Sequence, residues 1–288
     1  MTLRENLERG AAQLGTGPHP ERARLDAETL LLHQIGKNRA WLITHLDDDF
    51  AGCRAIGYAA LLERRAKGEP IQYILGECEF YGMPFRVTPD VLIPRPETEL
   101  LVEKAAQLMP VFDRGCEGFS PRVLDVGTGS GAIAISIAHD WGQAEITAVD
   151  ISPAALEVAR SNAERLGFAD EIRFLLGDLI APGAGEVFDL IVSNPPYVPT
   201  RDRDSLVVEV RDYEPAIALF AGDDGLGVYR RLIPAAYAAL AHGGYIAFEI
   251  GYDQADAVRD LLQAANFEAI EFTPDLQGIP RLVTAQKP

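Results

Sequence analysis

From residue 121 onward, apolar runs of strand length alternate with stretches of helical spacing. The pattern predicts strands over 123–126, 145–149, 172–176, 189–192 and 245–250, with helices over 133–138, 153–166 and 226–240 between them. That alternation is the mark of a doubly wound α/β sheet, mostly parallel and covered by helices on both faces. Two last runs, 267–272 and 281–285, have no helix between them and predict an antiparallel edge. The first seventy residues differ. Leu3, Leu7 and Leu14, then Leu25, Thr29, Leu30 and Leu32, then Ala55 to Leu62 fall at helical spacing, which predicts a small helical bundle stopped by Gly68-Glu69-Pro70. Aromatic and β-branched residues around Gly82 predict a hairpin over 78–87. The expected organisation is a bundle over 1–72, a hairpin linker over 73–94 and a sheet domain over 95–288.

Composition narrows the function. The 288 residues are 48% hydrophobic, enough for a large core, and carry a formal net charge of −17. Residues 1–70 hold ten basic and ten acidic side chains, so the whole excess of acid lies beyond them. Phosphate backbones are held by clustered Lys and Arg, so no direct nucleic-acid partner is expected. Cys53, Cys78 and Cys116 lack C-x-x-C spacing and the five histidines form no H-x-x-x-H pair, so no metal site is expected. No stretch spans a membrane and the mixed-charge start has no leader pattern, which predicts a cytoplasmic protein. The layout is taken as a monomer.

Val123-Leu124-Asp125-Val126-Gly127-Thr128-Gly129-Ser130-Gly131-Ala132 follows a strand and opens a helix, so glycine backbone and helix N–H groups would face a nucleotide-like cofactor. The spacing also satisfies a dinucleotide fingerprint. Charge separates the two: Asp125 would oppose a pyrophosphate but suits the sulfonium and ammonium of S-adenosylmethionine, and is expected to face them directly or through water. Asp150, nineteen residues after Gly131 at the next strand end, is placed to accept from ribose hydroxyls in either case. Asp178 is expected to accept from an adenine amino group, with Leu179 against the ring.

The strand over 188–193 runs straight into Asn194-Pro195-Pro196-Tyr197. Two prolines fix φ and delete two donors, leaving a rigid turn of carbonyl acceptors. The Asn194 side-chain carbonyl and the Pro195 main-chain carbonyl would hold both hydrogens of a planar NH2 group, with Pro196 completing the turn and Tyr197 offering a face to stack on it. Such a pair positions a weakly nucleophilic nitrogen and stabilises charge growing on it. Asn194, Pro195 and Tyr197 are therefore the expected catalytic residues.

Together with Gly68-Glu69-Pro70-Ile71-Gln72-Tyr73-Ile74-Leu75-Gly76, Leu92-Ile93-Pro94-Arg95-Pro96-Glu97-Thr98-Glu99, Asp150-Ile151-Ser152-Pro153 and the segment from Glu214-Pro215 to Asp224-Gly225-Leu226, these motifs resemble the bacterial peptide chain release factor glutamine methyltransferases, members of the class I S-adenosylmethionine-dependent methyltransferases. The resemblance covers nearly the whole chain. It implies a seven-stranded sheet, S-adenosylmethionine as cofactor, and methylation of the glutamine amide nitrogen in the Gly-Gly-Gln loop of class 1 release factors. It also implies that Gly127, Thr128, Gly129, Ser130, Gly131, Asp150, Asp178, Leu179 and Asn194 contact the cofactor, that Asn194 to Tyr197 hold the glutamine, that Pro94 to Thr98 close one wall, and that the bundle docks the release factor. Leu179 departs from the aromatic residue of some relatives. The mixed-charge stretch 201–212 is expected to be a mobile, solvated loop. The rival readings are an amino-methyltransferase acting on a nucleic-acid base, a nicotinamide-dependent oxidoreductase, which leaves Asn194-Pro195-Pro196-Tyr197 unexplained, and a non-catalytic cofactor sensor.

Overall fold

The computed structural model describes residues 1–112 and 120–288; Cys116 lies outside them. In chain order the elements are α1 (Leu3–Leu14), α2 (Ala23–Ile35), α3 (Arg39–Thr44), α4 (Cys53–Ala66), α5 (Ile71–Leu75), β1 (Glu77–Phe80), β2 (Met83–Arg86), α6 (Glu99–Phe112), β3 (Arg122–Val126), α7 (Ala132–Asp140), β4 (Glu145–Asp150), α8 (Pro153–Leu166), β5 (Ile172–Leu176), β6 (Phe188–Ser193), α9 (Val208–Tyr213), α10 (Ala216–Leu219), α11 (Gly227–Ala239), β7 (Leu240–Glu249), α12 (Ala255–Ala264), β8 (Glu268–Pro274) and β9 (Pro280–Gln286). They fall into two compact units, Met1–Glu77 with Leu206–Tyr213, and Cys78–Ser205 with Glu214–Pro288.

The first unit is the helical bundle. Thr2 caps α1 and Glu5 returns the bond to the Thr2 N–H, a capping box that satisfies two donors the first turn leaves open. Leu7, Leu30, Leu31, Leu42, Tyr58 and Leu62 form its core. Arg65, near the end of α4, is buried: its Nε donates to Asp26 at 2.7 Å, and it also meets Glu209. Glu209 belongs to α9, so the end of the 201–212 stretch is not the solvated loop expected. Val208 packs at Gly68, where a Cβ would meet it at 2.6 Å. The mixed charges of the segment hid a helix whose carboxylate balances a buried guanidinium.

In the second unit the sheet order is β5-β4-β3-β6-β7-β9-β8, parallel from β5 to β7, with β9 antiparallel to both β7 and β8. Neighbouring residues on one strand belong to opposite faces. Val123, Leu190 and Ala247 pack with residues of α6, α7 and α8, while Leu124, Ile191 and Phe248 pack with residues of α11 and α12. Burial on both faces explains why these strands read as continuous apolar runs. The hairpin β1-β2 from Cys78 onward belongs to this unit. Tyr81 and Gly82 both have positive φ, as a two-residue turn matched to the strand twist requires. Buried Asn162 of α8 locks the hairpin: its Oδ1 accepts from the Arg86 N–H, and its Nδ2 donates to the carbonyls of Arg86 and Ser130. Among the described residues no helix is long and apolar enough to cross a membrane, and no cluster of His, Cys, Asp and Glu could hold a metal.

Candidate active site

The order of strands reverses between β3 and β6, and ligands of open α/β sheets gather at the carboxyl ends of strands on either side of such a point. A cleft of about 270 Å³ lies there. Its walls come from the β3–α7 loop (Gly127 to Ser130), the ends of β4 and β5 (Asp150, Asp178, Leu179), the turn after β6 (Asn194 to Pro196), the 90–98 segment, Ile217 to Phe220, and Arg231.

The loop owes its shape to glycine. Gly127 and Gly129 sit at φ +74° and +56°, where an L side chain is strained, and β4, the strand paired with β3, takes the Gly127 and Thr128 N–H groups on one carbonyl, that of Val149. Asp150 joins loop to strand end: its Oδ2 accepts from the Gly129 N–H at 2.9 Å and its Oδ1 from the Ser152 N–H at 2.8 Å. Burial pushes its carboxyl up, and the two N–H bonds oppose that. Each oxygen keeps a lone pair for a further donor.

Asp125 corrects an expectation. It does not line the cleft. Wholly buried, it accepts from Thr128 Oγ1 at 2.7 Å, and its Oδ1 has no partner among the described residues. Desolvation pushes it up to about 7, against the pull of the Thr128 bond and of the nearby Ala134 N–H. The strand end that the sequence placed beside the ligand points into the protein, and Thr128 carries its charge to the loop.

Asp178 and Leu179 line the cleft as expected, but Asp178 is paired with the Arg231 guanidinium, which the sequence did not flag. Leu179 holds φ +51°, a strained value for a leucine and one that concentrates at ligand sites.

Asn194 and the two prolines line the cleft; Tyr197 does not. The Tyr197 side chain packs against the core cluster that includes Phe248, and its hydroxyl donates to Glu249 Oε1 at 3.2 Å. Asn194 Nδ2 donates to Thr98 Oγ1 at 3.1 Å, and Thr98 in turn donates to Glu249 Oε2 at 2.6 Å. Asn194 Oδ1 takes no hydrogen bond from any described residue. Glu249 was missed; its signal was a lone acid inside the apolar run 245–250. Burial pushes it up to about 7, with Glu97 adding to the rise and Thr98, Tyr197 and Arg281 opposing it. The 94–98 wall is tied down by Arg95, which donates to buried Glu214 at 2.5 Å.

The residues present fit a cationic methyl donor. Cβ atoms at Gly127 would meet nothing within 4 Å, so the cradle is open to a ligand. The charged groups of the wall are Asp90, Asp150, Asp178 and Arg231, and the one guanidinium is already paired. Nothing in that set neutralises a pyrophosphate, whereas it suits a sulfonium and an ammonium.

This sheet, with an acid-walled glycine cradle and an asparagine-proline turn on either side of its reversal, defines an S-adenosylmethionine-dependent methyltransferase. A methyltransferase of Pyrococcus furiosus, 18% identical, shares the fold with a TM-score of 0.51 over 72% of this chain and 90% of that one. Residues 98–210 match the methyltransferase small domain and residues 5–76 the PrmC N-terminal domain. Proteins named release factor glutamine methyltransferase from Koribacter versatilis and Moorella thermoacetica are each 42% identical to it, over 100% of this chain and 99% of theirs. The chain belongs to the release factor glutamine methyltransferase family.

Proposed function

We propose that this enzyme transfers a methyl group from S-adenosylmethionine to the side-chain amide nitrogen of the glutamine in the Gly-Gly-Gln loop of class 1 peptide chain release factors. When bound, the cofactor supplies a methyl group on a positively charged sulfur. Gly127 to Gly131 would cradle its carboxylate end with backbone N–H groups, Asp150 would accept from the ribose hydroxyls, and Asp178 and Leu179 would flank the adenine. Asn194 Oδ1 and the Pro195 carbonyl would take the two hydrogens of the glutamine NH2. Both acceptors favour a nitrogen whose lone pair has left conjugation, and both stabilise the positive charge that grows on it as its bond to carbon forms. Tyr197 serves the turn from behind, through Glu249.

The observation that carries this reading is the anchoring of Asn194 through its nitrogen, which leaves the carbonyl oxygen for a donor in the cleft. A planar amide NH2 is such a donor. Base amines are too, but a polynucleotide also needs cations for its phosphates, and the cleft wall offers Arg231 alone, paired with Asp178. We take the enzyme to act as a cytoplasmic monomer on protein, without nucleic acid, with the helical unit docking the release factor. The test is incubation with labelled methyl donor and a release factor, its Gly-Gly-Ala variant, or DNA. Label on the glutamine of the intact protein alone supports the reading; label on DNA overturns it.

A further inference from the structure

An asparagine amide presents nearly the same outline either way round, so shape alone does not decide whether its oxygen or its nitrogen meets a substrate. In this cleft the decision is made two residues away. Thr98 is 4% exposed and Glu249 3%, on segments far apart in the chain, and the threonine hydroxyl has a single hydrogen to give. Glu249 Oε2 lies 2.6 Å from Thr98 Oγ1, the shorter of that oxygen's two contacts, and above about pH 7, where Glu249 is ionised, its carboxylate can only accept. The Thr98 hydrogen therefore points to Glu249, and what remains for Asn194 is a lone pair. Only the NH2 end of the amide can bond to it. The Tyr197 hydroxyl fixes Oε1 of the carboxylate, and the Tyr229 hydroxyl fixes the backbone of Glu249 by donating to its main-chain carbonyl at 2.6 Å.

We propose that Glu249 is a positioning residue that acts through Thr98 to hold the Asn194 amide with its nitrogen inward, so that its oxygen is the atom offered to the substrate. With Glu249 neutral in charge, as glutamine, its NH2 can bond to Thr98 and free the Thr98 hydrogen for Asn194 Oδ1. The amide then turns over and presents two N–H donors to a substrate NH2, which has no acceptor to offer. This deepens the function proposed above and rests on it for the role of Asn194, though the orientation of the amide is a property of the protein alone.

The experiment uses the full chain with selectively ¹⁵N-labelled asparagine, the Asn194 NH2 signal being assigned by its loss in N194D, and compares the wild type with E249Q, T98V, T98S and T98V/E249Q. At about pH 8, where Glu249 is ionised, the Asn194 NH2 protons are expected to exchange slowly in the wild type and T98S; in E249Q and T98V exchange accelerates and turnover falls, each by about tenfold or more, while methyl-donor binding stays within about twofold. Because both changes cut one chain of bonds, T98V/E249Q loses no more than T98V. Unchanged exchange in E249Q, or a double variant showing the product of the two single losses, overturns the proposal. Should E249Q fail to fold, equal exchange and equal turnover in T98V and T98S overturn it by themselves. A wild type inactive on release factor overturns the proposed function instead, and the exchange arm still decides the orientation.

Discussion

The Gly129 N–H donates to Asp150 Oδ2 at 2.9 Å across 21 residues of chain, so the glycine loop and the next strand end are one rigid object before any ligand arrives. One carboxylate thus has two tasks, to shape the loop and to accept from a ribose. D150A should weaken binding of S-adenosylmethionine by roughly 10–100-fold, the scale of two charge-assisted bonds lost together with preorganisation. D150N keeps an acceptor and should lose less. Isothermal calorimetry measures both, and an unchanged dissociation constant in D150A would remove the ribose assignment.

Asn194 separates binding from chemistry. N194A removes one acceptor of the pair and nothing from the glycine cradle, so donor affinity should hold while turnover on release factor falls by ~2–4 kcal/mol in barrier, the scale of one positioned polar group. Single-turnover kinetics beside calorimetry tests this; retained turnover would take Asn194 out of the chemistry.

The sheet and the cradle were legible in the sequence because their signals are local. Buried parallel strands read as apolar runs, and Gly127 and Gly129 sit where positive φ demands glycine. The orientation of side chains was not legible. Asp125 and Tyr197 have the right neighbours in the chain for contact with ligand, yet strand alternation turns the one inward, and Glu249 draws the other to the core. Glu249 and Arg231 lie 55 and 37 residues beyond Asn194, and only the fold brings them to it. The same holds for Glu209, which looked solvated until α9 set it against Arg65.

Arg65 and Asp26 form a pair that is 3% and 1% exposed. Removing one member of a buried pair strands the other charge, so R65M should cost about 3–5 kcal/mol, while R65M/D26L, which strands neither at that contact, should recover most of the loss. Glu209 moderates the recovery, since it also loses its partner in both variants. Trp41 lies in the helical unit and Trp141 in the sheet unit, so urea unfolding followed by Trp41 fluorescence in a W141F background reads this cost where it arises. Equal midpoints for R65M and the wild type would mean the pair contributes nothing net.

Asp125 should make stability depend on pH with a defined sign. Burial raises its folded-state pKa to about 7 from an unfolded value of 3.8, so between those limits the folded chain binds a proton that the unfolded chain has released. Its contribution is fully present below the unfolded value, is lost as pH rises through that window, and changes no further above it, a swing on the order of a few kcal/mol. Glu249, raised to about 7 by burial, adds a swing of the same sign. Urea midpoints of the wild type should therefore fall from pH 5 to pH 8. D125N carries no proton to lose and still offers Thr128 an acceptor, so its profile should be shallower, with the remaining slope due to Glu249 and Asp150. Parallel profiles for the two proteins would show that Asp125 is ionised in the fold across this range, and that the Thr128 bond and the nearby Ala134 N–H outweigh its burial.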